Sequence, residues 1–104
     1  MKIIKLLAVL TLGAIVASCS SRFEMLYKSA DVDEKYKGAF EYYNQKKYKK
    51  AVDLFEQILI ATKGTMRDDT VQFYVGLSNY KWGDIQAAEA NFDQFTKVFP
   101  RSPF

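Results

Sequence analysis

The sequence predicts an all-α chain of two consecutive helical hairpins, and three observations carry that expectation. A pattern recurs: Ala51, Phe55 and Ile58 stand 37 residues before Ala88, Phe92 and Phe95, and self-similarity at a fixed period of roughly 20–50 residues marks repeat arrays. Apolar residues fall at helical spacing, as in Ala51, Leu54, Phe55, Ile58 and Leu59 at i, i+3, i+4, i+7 and i+8. Helix stop and start residues separate the segments: Gly64 before Asp68-Asp69, then Gly83-Asp84, then Pro100.

Four helices follow in order. The first is expected over about Asp33–Gln45 and the second over about Tyr48–Ala61. The loop Thr62–Arg67 contains Gly64, which can take the left-handed conformation that ends a helix. The third helix is expected over about Asp68–Lys81, its two aspartates suiting the positive N-terminal end. Asp84 caps the fourth, which runs to about Val98, and Pro100 lies just past its end.

Ahead of the hairpins stands a leader. Lys2 and Lys5 precede Leu6–Ala17, an apolar run broken only by Thr11 and Gly13. Twelve residues rise only about 18 Å as a helix, short of the roughly 30 Å hydrocarbon core, so the segment fits a signal h-region better than a membrane span. Val16-Ala17-Ser18-Cys19 resembles the bacterial lipobox. That resemblance implies a signal peptide over residues 1–18, cleavage before Cys19, and acylation of Cys19 as the lipid attachment site. Ser20, where an Asp would favour the inner membrane in well-studied Gram-negative systems, leans toward the outer membrane. Residues 19–32 read as a tether, with Phe23, Met25, Leu26 and Tyr27 able to lie against the first helix.

Composition narrows the function classes. The charge is +3, and it falls to +1 without Lys2 and Lys5, so no clustered basic face for nucleic acid is indicated. At 49% hydrophobic and 26% charged residues the chain suits a folded domain rather than a disordered one. It has no His and one Cys, which removes the commonest general base and metal ligand and any internal disulfide. No phosphate loop, nucleophile–base set or metal-ligand cluster is present, so no cofactor, no metal and no catalytic residue is expected.

The 37-residue unit resembles the tetratricopeptide repeat, whose length is about 34 residues. In the second copy Gly76, Gly83-Asp84, Ala88, Phe92 and Pro100 match the pattern; in the first, Ala39, Tyr42, Ala51 and Phe55 do. Lys35 and Gln72 depart from it at a frequent Trp position, and Lys63 stands where Pro closes a repeat. The two repeats occupy about 33–64 and 68–101. Ser102-Pro103 reads as an N-cap followed by Pro at a first helical position, so a further helix is expected, with part of the fourth helix's apolar face left uncovered.

In such arrays the first helix of each pair lines the concave surface. Tyr36, Phe40 and Tyr43 share one stripe of the first helix, and Phe73, Leu77 and Tyr80 repeat it on the third. Rigid rings give large contact area at low entropy cost, so the stripe suits a peptide-binding groove; packing of the same rings as core is the competing reading. Ala39, Tyr42, Val75, Gly76 and Asn79 are expected to face the paired helices. Lys46, Lys47, Lys49 and Lys50 surround a turn and suit a solvated turn or, alternatively, acidic lipid headgroups or an acidic partner.

An acylated Cys followed by degenerate repeats, with the segments Tyr36–Leu59 and Val75–Phe104 ending in FPRSPF, resembles the BamD family of outer-membrane assembly lipoproteins. The resemblance covers only the N-terminal part of such a protein, which usually has five repeats. It implies a periplasm-facing scaffold, anchored to the outer membrane by acyl chains. Its partners would be barrel-assembly subunits and unfolded β-barrel substrates. A lipoprotein scaffolding cell-wall or division enzymes, a glycan-capturing lipoprotein, and an enzyme whose catalytic domain lies beyond Phe104 are the alternatives.

Overall fold

The computed structural model describes residues 22–104; the expected signal peptide 1–18 and the expected lipid attachment site Cys19 lie outside the described residues. A short helix over residues 22–28 (α1) is followed by α2 (Val32–Asn44), α3 (Tyr48–Thr62), α4 (Asp68–Trp82) and α5 (Ile85–Val98). The fold is all-α. Each of α2 to α4 packs on the next helix across a short turn, giving two helical hairpins, α2/α3 and α4/α5. None of the helices among the described residues is long and apolar enough to cross a membrane.

The helix ends follow local chemistry. Asp31 caps α2, its side chain accepting from the Glu34 N–H at 3.2 Å, and Asp84 caps α5 by accepting from the Ala87 N–H at 3.1 Å. Each such contact satisfies a donor that has no intrahelical partner. Asp68 and Asp69 stand in the first turn of α4, as expected, but the Asp68 carboxylate does not cap that helix: it reaches back and accepts from the Gly64 N–H at 2.7 Å, closing the α3–α4 loop. The α2–α3 turn depends on Lys46 at φ 63°, a left-handed residue where no Gly or Asn announces one.

Helical spacing gathers the small and apolar residues into one core. Ala39 and Tyr42 of α2, Ala51, Leu54, Phe55 and Ile58 of α3, and Val71 and Val75 of α4 form a single buried cluster. Each large side chain fully buried there contributes about 1.5–3 kcal/mol of transfer free energy. The face expected to meet the paired helices, Ala39, Tyr42, Val75, Gly76 and Asn79, is buried throughout. Gly76 is required by close approach, since a Cβ there would lie 2.8 Å from the Phe92 ring.

Part of the expected tether is structure. Residues 22–28 are helical, and Phe23 and Leu26 pack on the core. A Cβ at Gly38 would sit 2.7 Å from Leu26 Cδ1, so α1 nests on α2 where α2 lacks a side chain. Arg22 pairs with Glu41. Lys35, which departs from the repeat pattern, has a local use: its ammonium donates to the Tyr27 carbonyl at 3.2 Å and to Gln57 Oε1 at 2.7 Å. It thereby ties the C-terminal end of α1, where carbonyls lack helical partners, to α3.

Candidate functional site

The first helices of the two hairpins, α2 and α4, bring four members of the sequence-identified stripe, Tyr36, Phe40, Tyr43 and Phe73, onto one aromatic surface. Tyr36 and Phe40 stack edge-to-face at 5.0 Å, one turn apart on α2. Phe40 meets Tyr74 of α4 at 4.8 Å, and Tyr43 meets the same ring at 5.3 Å. Tyr74 meets Phe73 at 5.5 Å. The result is a continuous row of rings, Tyr36–Phe40–Tyr74–Phe73, that crosses from one hairpin to the next. Edge-to-face pairs of this kind add about 0.5–1.5 kcal/mol each beyond area burial.

The six expected groove residues are not equivalent. Phe40 also packs at 5.1 Å on Phe55, a core residue, so its inner edge is structural and its outer edge belongs to the surface. Tyr36, Phe40 and Tyr43 are half-buried against the core cluster. Phe73 contacts Phe92 and Phe95 of α5, and Phe104 stacks on it at 4.9 Å with the rings inclined by 22°. Leu77 is half-buried, whereas Tyr80 is 58% exposed and stands outside the ring network among the described residues. The stripe is thus an open surface at Tyr80 and a shared core edge at Phe40. Tyr74 of α4 joins the two halves of the stripe, its ring packing on Phe40 and Tyr43 of α2, on the core residue Phe55 and on its neighbour Phe73.

Sequence reasoning missed Tyr74 because it belongs to neither periodic stripe; its neighbour Phe73 was counted instead. It also missed the link at the Tyr36 end. There the Arg67 guanidinium lies 4.3 Å over the Tyr36 ring and pairs with Asp33 at 2.6 Å. A cation over a ring face at this distance is attractive, and it joins the loop before α4 to the start of α2. Residues 34 positions apart give no local signal of that contact.

At the opposite end, Lys81 Nζ lies 5.1 Å from the Tyr43 centroid and 5.5 Å from that of Tyr48. Hydrogen bonding to Tyr43 holds Lys81 above the ordinary lysine range, so it is charged at neutral pH. Lys49 is likewise raised, first by its hydrogen bond to Asp53. The aromatic surface therefore runs between a guanidinium at one end and an ammonium at the other. That arrangement offers ring faces for apolar side chains and flanking cations for carboxylates.

Nothing among the described residues forms a cluster of three or more Cys, Asp or Glu able to hold a metal. Two buried side-chain oxygens, Asp68 Oδ1 and Ser78 Oγ, have no hydrogen-bond partner among the described residues. Ser102 Oγ accepts from the Phe104 N–H at 3.3 Å, an N-cap-like contact, and donates to Asp69 Oδ2 at 3.0 Å. This anchors the segment after α5 to the start of α4 and sets Phe104 over Phe73. Compared with protein-family models, curated proteins and solved structures, the chain gives no significant match.

Proposed function

We propose that the chain belongs to a lipid-anchored, periplasm-facing scaffold of the outer-membrane β-barrel assembly machinery, and that it helps to deliver and insert outer-membrane proteins. The observation that carries the reading is the ring row shared by α2 and α4, combined with the lipobox at Val16–Cys19. An unfolded β-barrel segment alternates apolar and polar residues. Its apolar side chains can lie on Tyr36, Phe40, Tyr74 and Tyr80 while its backbone remains hydrated. Rigid rings lose little freedom on binding, so contact area converts to affinity efficiently. The role needs holding and release rather than bond making, so no catalytic residue is assigned. Cys19 is the attachment point for the acyl chains, and several chains together anchor firmly because each buried CH₂ contributes about 0.8 kcal/mol.

Two measurements test this. The Cys19→Ala variant should lose acyl labelling and leave the membrane fraction; unchanged retention would exclude the anchor. Tagged full-length protein from detergent-solubilised envelopes should co-purify with a barrel-forming assembly subunit. Recovery of peptidoglycan enzymes instead would move the reading to a cell-wall scaffold.

A further inference from the structure

The α2–α3 turn and the C-terminal end of α4 enclose a cleft of about 350 Å³. Five lysines line it: Lys46, Lys47, Lys49, Lys50 and Lys81. Tyr48 and Trp82 complete the lining, which contains no acidic residue, and Trp82 is 53% exposed. The α2–α3 turn alone suited an ordinary solvated turn. The fold changes that by adding Lys81 and Trp82 from a helix more than thirty residues away in sequence. Of these five, only Lys49 has a carboxylate partner among the described residues, Asp53. The ammonium groups of Lys47, Lys50 and Lys81 lie over aromatic rings, which attract them and leave their charge intact.

The place of the cleft matters as much as its charge. Lys50 Nζ lies 5.5 Å from the Phe23 ring, and Phe23 is four residues after Cys19. Four extended residues span at most about 14 Å. An anchor at Cys19 therefore keeps this end of the hairpins close to a bilayer surface. An exposed indole beside several lysines is the combination that settles at a headgroup layer, the ring at the interface and the ammonium groups on phosphates.

We propose that the lysine cleft is a docking surface for the headgroups of anionic phospholipids, which orients the hairpins on the membrane with the Lys81 end of the aromatic surface nearest the bilayer and the Arg67 end farthest from it. The orientation rests on the lipid-anchor reading above; the headgroup contact itself rests on the cleft.

Trp82 is the chain's one tryptophan, so its fluorescence reports this cleft alone. The lipidated full chain is mixed with vesicles of phosphatidylcholine, or of phosphatidylcholine and phosphatidylglycerol in equal parts, both carrying brominated acyl chains. Trp82 should be quenched on the phosphatidylglycerol vesicles and not on phosphatidylcholine alone. High salt should relieve the quenching of the wild-type chain. Replacing Lys46, Lys47 and Lys81 together with Gln should weaken the lipid-dependent contact by roughly five-fold per lysine, and Arg at the same positions should preserve it. Quenching that is equal on both vesicles, absent from both, or insensitive to salt overturns the proposal. So does a shift of Trp82 emission by inorganic phosphate or by a polyglutamate peptide without vesicles, which would identify a free anion or an acidic protein as the occupant. Flotation on phosphatidylcholine alone reads the anchor separately; its loss would overturn the anchor and leave phosphatidylglycerol-dependent quenching to decide the cleft.

Discussion

In the first hairpin, Ala51, Leu54 and Phe55 of α3 are fully buried, because α2 covers one side of the helix and α4 the other. In the second hairpin the corresponding helix, α5, packs on α4 and buries only Ala88 and Phe95. The repeat offset makes the comparison direct. Tyr42 and Leu54 are buried apolar residues in the first copy, and the same positions in the second hold Asn79 and Asn91, joined by a 2.9 Å hydrogen bond. Ile85 and Val98 at the ends of α5 are half exposed. One pattern written twice therefore gives two different degrees of burial. In a stacked array, a repeat's stability comes from its neighbours as much as from its own residues.

The largest expected effect tests that difference at its centre. Phe55→Ala removes a ring that meets Phe40 and Tyr74 as well as the core, and it should cost about 3–5 kcal/mol in urea unfolding. Phe95→Ala, at the equivalent of Ile58, should cost less, since α5 has no helix on its outer side among the described residues and can collapse toward α4. Equal costs would mean that the two hairpins share one cooperative core.

A middle-sized effect concerns the asparagine pair. Asn91→Leu restores the residue type of the first copy but strands the 4% exposed Asn79, so it should destabilise by about 1–3 kcal/mol. Combining it with Asn79→Leu should recover most of that loss, because a buried polar pair replaced on both sides leaves no orphan. Additive losses in the double variant would show that Asn79 has another role.

The smallest effect sharpens the comparison at the helix starts. Asp31→Ala and Asp84→Ala each remove one cap bond and should cost about 1 kcal/mol. Hydrogen exchange should show the loss differently. Amides at the start of α5 should open locally in Asp84→Ala, whereas α2, held by both α1 and α3, should exchange through larger openings.

The four main helices were legible because their apolar spacing agrees with the Asp residues that open α2, α4 and α5 and with the Gly or Pro stops after α3, α4 and α5, whereas the α2–α3 turn carries neither signal; the observed ends differ by about one residue from those expected, within ordinary fraying. Helix α1 was not, since only Phe23 and Leu26 mark its inner face and seven residues give too few turns for a period. Its docking depends on Gly38, which reads as a neutral residue until Leu26 is seen to occupy its space. The aromatic stripe was legible as a stripe, because Tyr36, Phe40 and Tyr43 repeat in register. Its partition into surface and core was not, because Tyr74 enters from another helix. Lys46 carried no turn signal, although it takes the left-handed conformation that shapes the lysine cleft.

The most direct test of peptide recognition by the α2/α4 surface is a titration of an aromatic-ended peptide from the C-terminus of a β-barrel protein into the full-length protein. Tyr80→Ala is the informative variant, since Tyr80 is 58% exposed and carries none of the ring contacts that hold the helices together. Saturable binding by the wild type is expected, weakened about five- to thirty-fold in Tyr80→Ala, which corresponds to about 1–2 kcal/mol at one interface anchor. Helicity and unfolding midpoint should be unchanged in that variant. Equal affinity in both proteins, or no binding by either, would contradict a recognition surface and leave the rings as packing alone.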